Sequence, residues 1–166
     1  MNYIIKMNFI LDMAMLFVVL SVVLILNIPD LLSSSNLLTQ QIFIYIIVTG
    51  YYIGQKYILT KFINKQPVDF KHIIKESISS AVPCMVGFII FTDLAHSTGD
   101  SIGGTTGGSP GTQAFIQSFV GYVAPTGQGF AFNPNFKLAY VVAFFIVFFA
   151  MVAKMFSSII DIETYK

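Results

Sequence analysis

Between Ile42 and Leu59 the chain reads IFIYIIVTGYYIGQKYIL, and the densest run of positive charge in the protein follows directly. An apolar stretch of this length crosses a bilayer as a helix, because about 20 residues at a rise of about 1.5 Å cover the hydrocarbon layer. Once this segment is placed in a membrane, the side on which every other segment lies follows. Composition agrees. Charged residues make up 10% of the chain and hydrophobic ones 55%, whereas a soluble domain carries about 25% charged residues. The 166 residues suit one membrane domain of a few helices and leave little chain for a soluble core.

Four spans are predicted. Phe9–Ile28 reads as a retained signal-anchor helix, too long for the apolar core of a cleaved signal peptide. Asp12 lies near its start, where a carboxylate reaches the headgroups. Pro29 ends this helix, and Ser35 or Asn36 is placed to cap the next. Leu37–Leu59 is the second span. Its Gly50 and Gly54 form a GxxxG pattern, which points to a close helix–helix contact. That contact is expected within this chain, against Ser79, Ser80 and Ala81, and otherwise with a second copy. Lys56, Lys61, Lys65, Lys71 and Lys75 follow as a topogenic segment whose ammonium groups can snorkel to lipid headgroups. Val68–Ser77 is expected to lie on the membrane surface as a short helix. Ile78–Ala95 is the third span, a packing helix kinked at Pro83 with Gly87 one turn on. Leu138–Met155 is the fourth, bracketed by Lys137 and Lys154. The expected fold is therefore an all-α membrane protein, one domain over 1–166. Its four transmembrane helices span 9–28, 37–59, 78–95 and 138–155, with a long Gly-rich and aromatic loop over 96–137.

That loop begins STGDSIGGTTGGSPGT, a flexible-linker composition without the Gly-Lys-Ser/Thr of a phosphate cradle. QAFIQSFVGYV follows, with Phe115, Ile116, Phe119, Val120 and Val123 at near-helical spacing. An interfacial or re-entrant helix and a partner-docking helix both fit it. Phe130, Phe132 and Phe136 then need an apolar cover, either the bilayer edge or another protein. Phe115, Phe119, Phe130 and Phe132 are the candidate docking residues.

Enzymatic, metal and cofactor chemistry has no foothold in the sequence. The acids are scattered near helix ends, the two histidines lie far apart, and no nucleophile–base pair is evident. No catalytic, cofactor-binding or metal-ligating residue is expected. All nine basic residues are Lys, so the bidentate phosphate readers of nucleic-acid proteins are missing. Cys84 is the single cysteine and reads as a small packing residue. Lys6, Lys56, Lys61, Lys65, Lys71, Lys75, Lys154 and Lys166 fall on one predicted side and Lys137 alone on the other. The positive-inside rule then predicts cytoplasmic N- and C-termini. A structural or assembly role fits best, with the bilayer, other protein subunits and a further copy of itself as partners. A small ion or solute channel is the alternative.

The Lys-only, Asn/Ile/Phe-rich spans, with the stretches GYYIGQKYILTKFINK and SAVPCMVGFIIFTDL, give the chain a resemblance. It is similar to the small multi-span membrane proteins of large icosahedral DNA viruses with an internal lipid layer. The resemblance covers the four-span layout. It implies a minor capsid or inner-membrane protein that links the virion membrane to the shell, and it carries over no residue's role.

Overall fold

The computed structural model describes residues 2–26, 36–63, 65, 67–103, 130, 132 and 136–164. Four helices dominate: α1 (Asn2–Leu26), α2 (Leu37–Ile58), α3 (Phe70–Gly103) and α4 (Phe136–Thr164). The segments Phe9–Leu26, Leu37–Phe62, Phe70–Leu94 and Phe136–Ser157 are each long and apolar enough to cross a membrane. The four-span, all-helical architecture expected from the sequence is the one observed.

Within the spans the helices are largely apolar, so burial there follows packing shape more than polarity. On α1, Met13, Leu16, Leu20 and Leu24 form the buried stripe, at spacings of one helical turn, while Leu11, Val18 and Val22 point outward. On α2 the buried row is Gln40, Ile44, Val48 and Tyr52. Leu38, Ile42, Ile46 and Ile58 lie outward, as a lipid-facing surface requires. The carbonyl oxygen of the Asn36 side chain caps α2, accepting from the Thr39 N–H at 3.0 Å and the Thr39 hydroxyl at 2.8 Å.

α2 continues into a π-helical turn, Leu59–Ile63. Lys65 then takes the left-handed conformation, with φ 52°, which reverses the chain within a few residues. Asp69 caps α3, its carboxylate accepting from the Lys71 N–H at 3.0 Å. The third helix therefore begins at Phe70 and not at Ile78. The expected surface helix over Val68–Ser77 is instead the first turns of α3. The reason lies in the buried face: Ile73, Ser77, Ala81, Cys84 and Phe88 continue one stripe without a break. Lys71 and Lys75 sit on the exposed side. Pro83 lies inside the helix and does not end it, although it has no N–H for the carbonyl of Ser79.

α3 packs on both α2 and α4, and α1 packs on α4. Lipid tails are as apolar as these side chains, so close van der Waals contact decides such interfaces. One close approach is at Gly87. A Cβ there would stand 3.0 Å from the Phe145 carbonyl oxygen and 3.0 Å from the Phe149 Cβ. Ala139, Ala143 and Ala150 are small, buried residues on α4. At the end of the bundle where α2 begins, Phe130 and Phe132 are fully buried. The Gln40 side chain holds the Phe130 backbone at two points. Its amide NH2 donates to the Phe130 carbonyl at 2.7 Å, and its oxygen accepts from the Phe130 N–H at 2.8 Å.

Candidate functional site

Several polar residues of the spans meet near the start of the first span, Phe9–Leu26. Asp12 sits on the first turns of its span, and its side chain is 12% exposed. One carboxylate oxygen accepts from the Lys154 ammonium on α4 at 2.6 Å. The other accepts from the Gln55 amide and lies 3.3 Å from the Tyr51 hydroxyl, both on α2. The same hydroxyl is 3.2 Å from the Asp12 backbone carbonyl. Lys154 lies over two rings, 5.8 Å from the centroid of Phe9 and 5.6 Å from that of Tyr52. The Tyr52 hydroxyl in turn is 4.0 Å from the Cys84 sulfur on α3. All four helices thus meet through one chain of contacts.

The physical chemistry of this cluster is that of a clamp. A charge inside a membrane span is expensive to leave alone. An ion pair offsets its own desolvation only when the remaining lone pairs are also satisfied. Here the carboxylate takes hydrogen bonds on both oxygens, and the cation gains two aromatic faces. A cavity of about 140 Å³ lies beside the pair, lined by Tyr52, Ser79, Ser80, Pro83, Lys154 and Ser157 among others. Cys84 has the Tyr52 hydroxyl and the Ser80 carbonyl as neighbours, neither of which is a base for a nucleophilic thiol. Among the described residues no three His, Cys, Asp or Glu side chains are grouped to hold a metal ion.

The residues singled out from the sequence fall in different places. Gly50 and Gly54 are exposed, and a Cβ added at either would meet nothing within 4 Å. The expected contact of this pair with Ser79, Ser80 and Ala81 is corrected: the row that faces the bundle is Gln40, Ile44, Val48 and Tyr52, which turns the glycines outward. Gly87 makes a close helix contact instead, and Pro83 borders the small cavity. Phe130 and Phe132 are also corrected. Their cover is the protein's own core, with Phe130 5.7 Å from the Phe91 ring and 6.3 Å from Phe132. Neither side chain is offered to a partner. Phe115 and Phe119 lie outside the described residues.

Of the five lysines expected at headgroups, Lys56 pairs with Glu76 at 2.5 Å. Lys61 donates to the Tyr57 hydroxyl at 2.8 Å and lies over the Tyr57 and Phe62 rings. Lys65, Lys71 and Lys75 are exposed.

Sequence reasoning missed Lys154, read only as an interface marker, and Gln40, not singled out at all. A signal for the first was present: Asp12, Gln55 and Lys154 are polar residues placed inside span ends that the topology puts on one side. Comparison with known proteins gives no further guide, since no family model, no curated protein and no solved structure matches the chain.

Proposed function

We propose that the chain is a non-enzymatic structural membrane protein that anchors a larger assembly to a lipid bilayer. The observation that carries this reading is the commitment of Asp12. A pore would use this acid, near the end of its span, to meet an ion. Instead it is bound by Lys154, Tyr51 and Gln55, which favours holding helices together over passing a solute. The finer form of the proposal follows the resemblance noted in the sequence: a minor capsid protein that joins an internal virion membrane to its shell. Its partners are then shell subunits, reached from the connections between spans.

Cross-linking mass spectrometry on native membranes or particles tests the reading, with lysines as reporters. Reproducible links from Lys56–Lys75 or from Lys137 to an abundant second protein are expected. Links confined to copies of this chain, together with ion flux in proteoliposomes, would overturn it in favour of a channel.

A further inference from the structure

A second concave site lies at the junction of α2 and α3, between the end of one span at Phe62 and the start of the next at Phe70. Its volume is about 380 Å³, within the usual range of small-molecule pockets of about 300–1,000 Å³. The Tyr57 and Phe70 rings stack across the same junction at 5.8 Å.

The lining carries both signs of charge. Lys56, Thr60 and His72 stand with Asp69 and Glu76. Glu76 is held between the Lys56 ammonium at 2.5 Å and the His72 ring at 3.4 Å. Lys56 is the more enclosed partner of its pair, 26% exposed against 47% for Glu76. Leu59, Pro67 and Ile73 supply an apolar wall.

This mixture selects by charge pattern. A plain anion would meet two carboxylates, and a plain cation would meet Lys56. A molecule carrying a phosphate and an ammonium a few bonds apart meets both demands. Its phosphate would face Lys56 and the Thr60 hydroxyl, and its ammonium would donate to Glu76, since the Asp69 carboxylate already caps α3. The apolar wall beside the charges and the position at the membrane boundary identify the source as a lipid. We infer that this cavity binds the headgroup of a zwitterionic, phosphoethanolamine-type phospholipid. The inference rests on the membrane placement of the helices and is independent of what the protein anchors.

The test is native mass spectrometry of the full-length protein in detergent, with equal amounts of phosphatidylethanolamine and phosphatidylglycerol of the same acyl chains. The amine-bearing lipid should be retained about tenfold more strongly, the effect of one charge-assisted hydrogen bond. Glu76→Gln should bring the two lipids to parity, and Lys56→Gln should lower retention of both. Lys71→Gln, outside the cavity, should leave the preference unchanged. Equal or better retention of phosphatidylglycerol by the native chain would overturn the inference. So would a preference that survives both Glu76→Gln and Lys56→Gln. If water-soluble glycerophosphoethanolamine displaced the lipid at equal concentration, the membrane source would be wrong.

Discussion

Asp12 shows how a single charge can organise a membrane bundle. Its partners come from two other helices, so its loss acts on all three. Asp12→Asn keeps the size of the side chain but leaves the Lys154 ammonium without its counter-ion. The pair is partly screened, with Lys154 39% exposed. The loss should therefore be about 2 kcal/mol, below the roughly 3–5 kcal/mol of a fully buried pair. Denaturant unfolding in detergent would measure it. Asp12→Leu combined with Lys154→Met should be less destabilised than the sum of the single changes, because no orphaned charge remains. Strict additivity would show that the two groups do not act as a pair. Glycines give a second contrast at this scale. Gly87→Ala places a methyl group 3.0 Å from the Phe145 carbonyl, and a backbone atom cannot step aside without moving α4. A cost of about 1–3 kcal/mol is expected. Gly50→Ala and Gly54→Ala meet open space and should be neutral or slightly stabilising, since Ala is the better helix former. Thermal melts of the three variants would separate these cases, and a large loss at Gly54 would mean that a second molecule packs there.

At the level of elements, the four spans were legible because a membrane-length apolar run leaves few alternatives. The start of α3 was not. Lys71 and Lys75 suggested a surface segment, yet their side chains occupy only one side of the helix while Ile73 and Ser77 face inward. Periodicity, read through the lysines, would have joined Phe70 to the span. The clamp was half legible, since Asp12 was visible but its partner lies 142 positions along the chain. Gln40 was invisible for another reason. Its role is to satisfy a backbone N–H and C=O that approach from far along the sequence, and no local pattern announces such a pairing. Gln40→Leu would remove the two hydrogen bonds that Gln40 makes to the Phe130 backbone in a buried site, at about 1–3 kcal/mol for each. The expected consequence is local: the Phe130 amide should exchange with deuterium roughly 10–100-fold faster, with the helix interiors unchanged. Unaltered exchange at Phe130 would show that packing against Phe91, without Gln40, holds this segment.

For the whole molecule, the clamp and the lysines bear on one question, the direction in which the bundle is inserted. Asp12 near the start of the first span, Gln55 toward the end of the second and Lys154 near the end of the fourth are in contact, so these span ends share one end of the bundle. Lys56, Lys61, Lys65, Lys71 and Lys75 cluster around the α2–α3 junction at that same end, whereas Lys137 stands at the start of α4, at the other. Lysine near the ends of spans is retained on the cytoplasmic side during insertion, and a bias this uneven should give one orientation. Single-cysteine variants make the prediction direct, because Cys84 is the one native thiol and is buried. In a Cys84→Ala background, Lys65→Cys should react with a membrane-impermeant maleimide only after the cells are permeabilised. Lys137→Cys should react in intact cells. The opposite pattern would place the lysine-rich end outside and exchange the faces available to an anchored assembly. Labelling of both sites in intact cells would mean that the bundle inserts in two directions, and a fixed anchor could not then be built on it.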